Sequence, residues 1–325
     1  MTLLQITAVS GGSALVAWLI IALLLRSGLA SRIALDRPNA RSLHEGAVPR
    51  MGGLVVVGIT VAIGLLLPTG FALLLALAGG LMLLGAIDDR RGLPVAVRLL
   101  GHLAAAAAAA ELLLPAAPVW VWLVVVLALA WAMNLYNFMD GADGLAGTMT
   151  VFGFGAYALA AMAADATGLA LLAACAAGAA LGFLPHNWAP ARVFMGDAGS
   201  VPLGLLAGGL GLAGWSEGAW PAWFPLLVFS PFVVDASVTL VRRGLRGERL
   251  WQAHREHLYQ RMVRRGFGHA RTATLWAGAM AAAAASAVAG LSLQKSAQFG
   301  LLLAWIALYA TVFAVTWRLG TRLDR

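Results

Sequence analysis

Charge is what this chain has least of. Only 11% of its 325 residues are Asp, Glu, Lys or Arg, where a soluble domain carries about 25%. Cysteine is nearly absent: Cys175 stands alone in an Ala-rich run, which excludes an intrachain disulfide and a cysteine-built metal site. Lysine is as scarce, since 21 of the 22 basic residues are Arg. What fills the chain is apolar: 61% of residues are hydrophobic, and a stretch of about 20 such residues spans a bilayer. These proportions exclude a sizeable soluble domain. They imply an all-α, polytopic membrane protein, read as one integral membrane domain over residues 1–325. The first run, Leu3 to Leu25, is longer than a signal-peptide core and has no basic leader, so it reads as a retained span.

Apolar runs between charge clusters predict about ten to eleven transmembrane helices: roughly 3–28, 52–68, 70–87, 95–115, 118–137, 145–164, 167–185, 200–215, 221–241, 272–292 and 298–318. The net charge of +8 raises nucleic acid as a partner, but the Arg residues lie in a few clusters between spans, as the positive-inside rule describes. No nucleic-acid partner is expected. With the N-terminus outside and the C-terminus inside, the cytoplasmic loops are about 29–51, 88–94, 138–144, 186–199 and 242–271. They hold nearly all the Arg, nine of them from Arg242 to Arg271, and the proposed outer loops hold only Lys295. The same rule, blind to acids and imidazoles, assigns Asp88, Asp89, Asp140, Asp143, Asp197, His44, His254 and His257 to the cytoplasmic side.

Five constellations carry chemistry. Asp88-Asp89-Arg90-Arg91 closes the third helix; adjacent carboxylates at a membrane boundary repel and lose hydration, which suits a base or a cation partner. The bland alternative is two solvated acids paired with Arg90 and Arg91. Asn134-Leu-Tyr-Asn137-Phe-Met-Asp140-Gly141-Ala-Asp143-Gly144 closes the fifth. A spacing of three places Asn134, Asn137 and Asp140 on one helix face, with hard oxygen ligands of the kind Mg²⁺ takes. Gly196-Asp197-Ala-Gly-Ser enters the eighth helix: Asp197 reads either as a helix cap or, with its flanking glycines, as part of a phosphate site. His254-Arg255-Glu-His257-Leu-Tyr-Gln-Arg261 lies in the basic loop, where helical spacing lines up His254, His257 and Arg261. That pattern fits an interfacial helix on anionic lipid and equally a clamp for a pyrophosphate. Arg37, Arg41, His44 and Arg50 precede a glycine pair and fit a topology anchor or a phosphate contact. Asp235, ionisable and inside the ninth helix, is a functional candidate by position and receives no role.

In this order the motifs resemble the polyprenyl-phosphate N-acetylhexosamine-1-phosphate transferase superfamily, glycosyltransferase family 4, from the Asp36 loop to Arg271. The resemblance implies transfer of an N-acetylaminosugar-1-phosphate from a UDP-sugar to undecaprenyl phosphate, releasing UMP. Mg²⁺, with Mn²⁺ as a substitute, is the implied cofactor. It implies Asp88 and Asp89 near the acceptor phosphate, Asp143 and Asp197 on the metal, and Asn134, Asn137, Asp140 and Gly196 around the nucleotide diphosphate. His254, Arg255, His257 and Arg261, with His44, are the expected substrate contacts. The catalytic set is then Asp88, Asp89 and Asp140. The split His motif, in place of a contiguous triple His, points to the branch that primes O-antigen or related surface polysaccharide at the bacterial inner membrane, with GlcNAc, FucNAc or QuiNAc as the sugar. Gly92 stands where many relatives carry an acid or Lys. Membrane lipids are expected partners, and a homodimer stays open. A two-step route through an aspartyl intermediate also stays open. The rival readings are a membrane transporter with cytoplasmic acidic sites, which needs polar groups along a path to the outer face, a purely structural membrane protein, and a CDP-alcohol phosphotransferase, whose single Asp-rich helix is missing here.

Overall fold

The computed structural model describes residues 2–36, 46–249 and 254–323, without the side chains of Ile33 and residues 317–323. Apart from one two-residue strand pair, β1 (Leu35–Asp36) with β2 (Val48–Pro49), the described secondary structure is helical: α1 Leu3–Arg26, α2 Ala30–Ile33, α3 Gly52–Leu66, α4 Ala72–Arg91, α5 Val95–Leu113, α6 Val119–Phe138, α7 Leu145–Ala163, α8 Thr167–Asn187, α9 Asp197–Ser216, α10 Trp223–Val228, α11 Ser230–Leu245, α12 Leu258–Met262, a π-helical turn Val263–Phe267, α13 Gly268–Gly290 and α14 Lys295–Leu323. Among the described residues nine helices are long and apolar enough to cross a membrane, and α3 is a shorter apolar helix. The all-α polytopic reading holds.

All eleven predicted apolar segments are helical, with one difference. The segment 221–241 is broken into α10 and α11 at Phe229. Pro231 has no amide to give the Leu227 carbonyl, and the Ser230 hydroxyl donates to that carbonyl instead, at 2.7 Å. A helix restarted this way turns its C-terminal half independently of its N-terminal half.

In lipid, helix association rests on close packing of small residues rather than on the hydrophobic effect. The α1–α8 pair shows it: a Cβ on Gly178 or Gly182 would collide with the Ser10 and Ala14 carbonyls of α1. At the centre stands α9, packed by α3, α4, α5, α6 and α7, while α14 leaves Leu303, Ile306 and Val315 exposed to the apolar surroundings. The N-terminus of α9 is met by the C-termini of α4 and α6, which gathers their polar ends at one end of the bundle.

Candidate active site

Four carboxylates converge where α4 ends and α9 begins. Asp89, in the last turn of α4, accepts the first two amides of α9, from Asp197 at 3.2 Å and Ala198 at 3.1 Å. An anionic cap on a helix N-terminus is favoured by the unsatisfied amides and by the helix dipole. The sequence allowed Asp197 to be the cap; the structure gives that work to Asp89, 108 residues earlier, and leaves the Asp197 carboxylate for other partners. Two glycines make the approach possible. Gly85 has no side chain to hold α4 away from the Asp197 backbone, and Gly196 turns with φ +73°, where a Cβ would also meet the Asp89 carboxylate.

Around this junction the acids are held by Arg50, which the sequence offered as an anchor or phosphate contact, and by Arg98, which it did not single out. Arg50 reaches Asp89 at 3.4 Å and Asp36 at 2.9 Å. Its strand segment is locked to the loop before α9 through Phe194 N–H to Pro49 O and Gly52 N–H to Phe194 O, both 2.9 Å. Burial works against the Arg50 charge, and Asp36, Asp89 and Asp197 overcome it and raise the guanidinium above its ordinary value. Arg98, one turn into α5, sits 3.1 Å from Asp88 and 3.6 Å from Asp197. Its Nε is buried and has no hydrogen-bond partner among the described residues. Arg98 also faces His102, one turn further along α5. The bland alternative, in which Asp88 and Asp89 pair with Arg90 and Arg91, gives way to these more distant arginines. The detectable signal was an Arg and a His four residues apart inside an apolar helix.

The Asn-Asp loop is split in two. α6 ends at Phe138, so Asp140 lies beyond the helix and does not share its face as the spacing predicted. Asn137 donates to Asp197 at 2.7 Å and to Ser200 at 3.0 Å. Asn134 donates back to the Ala130 carbonyl at 2.7 Å. Asp140 faces the acidic junction: burial first, then the charges of Asp197 and Asp89, push its carboxyl well above the usual carboxylate range, against a weaker pull from Arg50 and the Gly196 amide. Asp143 turns elsewhere. One of its oxygens accepts the Ala191 amide at 3.0 Å, and the other lies 3.2 Å from His269 Nδ1. Asp143 thus has partners of its own on the far side of its loop, and His269, at the start of α13, is a neighbour that sequence reasoning missed.

The basic loop meets this centre from the other side. His254 and His257 are not helical as their spacing predicted; α12 starts only at Leu258. Their rings nevertheless lie 4.8 Å apart, and His257 stacks on Phe138 at 6.0 Å. The Tyr259 hydroxyl donates to the Phe138 carbonyl at 2.8 Å and occupies the space a Gly141 side chain would take. Arg255 and Arg261 line an open cavity of about 310 Å³ with Arg242, Arg246, Arg264 and Arg265, around Glu256. His44 lies outside the described residues.

Mg²⁺ can be tested against this donor set. Among the described residues Asp88, Asp89 and Asp197 pair with Arg50 and Arg98, and Asp140 faces the same junction, so four carboxyl groups share two guanidinium groups there. No three acid or imidazole side chains among the described residues are placed to hold a metal on their own. That fits an ion which takes one or two protein carboxylates and completes its shell with water and substrate phosphate. Asp197 and Asp140 are the carboxylates available for it.

A second cavity, apolar and about 380 Å³, runs between α6, α9 and α11 and includes Leu129, Leu135, Tyr136, Gly208, Phe229 and Val233. Its α6 wall stops at Tyr136, one residue from Asn137.

The glycosyl transferase family 4 model matches residues 71–214, the stretch from α4 through most of α9. The decaprenyl-phosphate N-acetylglucosaminephosphotransferase of Mycobacterium tuberculosis (strain CDC 1551 / Oshkosh) is 32% identical, over 80% of this chain and 77% of that protein. The probable undecaprenyl-phosphate N-acetylglucosaminyl 1-phosphate transferase of Bacillus subtilis (strain 168) is 27% identical, over 73% and 71%. A phospho-N-acetylmuramoyl-pentapeptide-transferase of Picosynechococcus is 34% identical, over 67% and 65%.

Proposed function

The chain belongs to glycosyl transferase family 4, the polyprenyl-phosphate N-acetylhexosamine-1-phosphate transferases, and from that footing we propose its substrates and the work of each residue. It is a membrane phosphotransferase. The donor is a UDP-N-acetylaminosugar, the acceptor undecaprenyl phosphate, and the products are UMP and the lipid-linked sugar diphosphate that starts an O-antigen-type surface polysaccharide. The Arg distribution supports a bacterial inner-membrane setting with the polar end facing the cytoplasm.

The observation that carries this reading is the apolar α6–α9–α11 groove ending beside a cluster of acids and arginines. An isoprenoid chain would lie in the groove and bring its phosphate to the polar end. Arg98 would receive that phosphate on its unused Nε, held in place by Asp88. A phosphate monoester with a second pKa near about 6 is mostly dianionic at neutral pH, so Asp88 has only to keep it deprotonated. An acceptor oxygen attacks the sugar-linked phosphorus, a new P–O bond forms, and the bond to the bridging oxygen breaks, with the electron pair leaving on UMP. Asp197 and Asp140 would hold Mg²⁺, with Asn137 orienting Asp197; such an ion would supply charge neutralisation for the departing UMP. Asp89 acts by fixing the first turn of α9 and hence Asp197. His254, Arg255, His257 and Arg261 would contact the donor phosphates and sugar. Direct displacement is favoured over an aspartyl intermediate, because the Asp89 carboxylate, as nucleophile, would have to abandon its two amides.

The test is transfer of radiolabelled sugar-1-phosphate from a panel of UDP-N-acetylaminosugars to undecaprenyl phosphate, with purified protein, in Mg²⁺ or EDTA. Lipid-linked label formed only with Mg²⁺ supports the reading, and the preferred donor names the sugar. Folded protein that labels no lipid from any donor would overturn it.

A further inference from the structure

Asp235 is fully buried in α11 and takes no part in the chemistry above. Its carboxylate is nonetheless committed. Oδ1 accepts the Leu258 amide at 2.7 Å and the Thr239 hydroxyl at 3.2 Å, and Oδ2 accepts the Tyr259 amide at 3.2 Å. Leu258 and Tyr259 are the first two residues of α12, a helix of five residues. α12 runs on into the π-helical turn and α13, so its open end is the N-terminal one, and that first turn is fixed by a carboxylate from another element, 23 residues away in sequence. The residue just before these amides is His257. Its Nδ1 lies 3.8 Å from Asp235 Oδ1, is buried, and has no hydrogen-bond partner among the described residues. The residue carrying the second amide is Tyr259, whose hydroxyl ties the loop to Phe138 and Gly141 at the edge of the acidic centre.

We propose that Asp235 is the positioning residue of the basic loop: by capping α12 it sets where His257 stands over the Asn-Asp loop, and so how the donor diphosphate is held. This rests on the reading that the loop handles the donor. The same construction recurs at Asp89 on α9, where a buried carboxylate also accepts two successive amides. Each of the two substrate-facing elements is thus registered by one acid from a neighbouring helix. Asp235 acts through His257 and Tyr259 and touches no substrate itself.

Asp235→Asn keeps the side-chain shape but presents an NH₂ group to one of the two amides it must accept. Misplacing a contact by about 1 Å can cost on the order of 100-fold, so kcat/KM for the UDP-sugar should fall by roughly 10- to 100-fold, with KM for undecaprenyl phosphate changing less than about twofold. Asp235→Glu, which keeps both acceptors, should recover most of the loss. The decisive comparison is with His257→Ala. If Asp235 works through His257, the double variant falls no further than His257→Ala alone. Hydrogen exchange of the peptide 257–262 should speed up in Asp235→Asn while the α4–α9 peptides stay protected. If Asp235→Asn does not give folded protein, Leu258→Pro deletes the 2.7 Å bond from the other partner, at a first helical position that suits proline. Additive losses in the double variant, equal losses for donor and acceptor, or unchanged kinetics overturn the proposal. Wild-type protein inactive with every donor would instead sink the functional reading, and the exchange data would still report whether Asp235 holds the loop.

Discussion

The acidic centre and the basic loop sit side by side and are built in opposite ways. At the acidic centre side chains are tied across elements: Asp89 to α9 and Arg50, Asp88 to Arg98, Asn137 to Asp197 and Ser200. Its elements are long helices whose ends are fixed by the bundle. The basic loop consists of a five-residue helix and a π-helical turn, held by Asp235 and Tyr259 and braced at the surface, where Arg246 pairs with Glu248 and Glu256. Rigid placement suits the reacting phosphates, whose geometry is the same for every donor. A loop of short helical pieces suits the part of the substrate that differs among amino sugars. Removing a group from the first region should therefore lower kcat, and removing one from the second should raise the donor KM.

The largest effect is expected from Asp197→Asn. The change keeps a side chain for Asn137 to meet but removes the carboxylate proposed to hold the cation, and transfer should fall by at least about 10³-fold in kcat. Donor binding, followed by equilibrium displacement of a labelled nucleotide, should fall far less. A variant that turned over at near wild-type rate would show that the acidic centre is not where the chemistry lies.

His257→Ala comes next, with a loss of about 10- to 100-fold in kcat/KM expressed mainly in the donor KM. Measured against several UDP-sugars, the loss should differ between them, whereas Asp197→Asn should affect all alike. Equal behaviour of the two variants across the donor panel would erase the distinction between the regions.

The acidic centre should also respond to pH. With the Asp140 carboxyl held well above the ordinary range by burial and by Asp197 and Asp89, a proton and a cation compete for it. The sign follows: below the raised Asp140 pKa the carboxyl is protonated, so the apparent Mg²⁺ requirement should rise as pH falls, by up to about tenfold per unit. Asp140→Asn should flatten that dependence while weakening Mg²⁺ binding at high pH. A Mg²⁺ requirement independent of pH in the wild type would place the cation elsewhere.

The same contrast explains what could be read from the chain. All eleven apolar segments were legible, because length and hydropathy are local properties. So were Asp88, Asp89, Asn137, Asp140 and Asp197, whose types and order carry the chemistry, and the structure brings them to one junction. Periodicity misplaced Asp140, as α6 stops two residues short of it, and it made a helix of His254–His257, which begins only where Asp235 can cap it. The partners of Arg50, His269 and Asp235 were not legible because they lie on other elements: Arg50 meets Asp89 across 39 residues, Asp143 meets His269 across 126 and Leu258 meets Asp235 across 23. Such pairings are decided by helix packing, which composition and spacing do not encode. Asp143 shows the converse. Its motif suggested a metal, and packing turned it toward Ala191 and His269.

The smallest expected effect lies at the joint between the two regions. Gly141 leaves the space that the Tyr259 hydroxyl fills on its way to the Phe138 carbonyl. Gly141→Ala adds one methyl in that space, so either the Asn-Asp loop or α12 must move; overpacking of this kind costs about 1–3 kcal/mol. Tyr259→Phe removes the same hydrogen bond without steric pressure and leaves one carbonyl short of a donor, at about 1 kcal/mol. If the joint transmits position from loop to loop, both variants should lower kcat/KM for the donor by about two- to tenfold and leave the acceptor KM alone. Gly141→Ala should also move Asp140, and with it the Mg²⁺ requirement, which Tyr259→Phe should not. A Mg²⁺ requirement unchanged in both would mean that the loop can shift without disturbing the acids, so that the two regions are joined only by proximity.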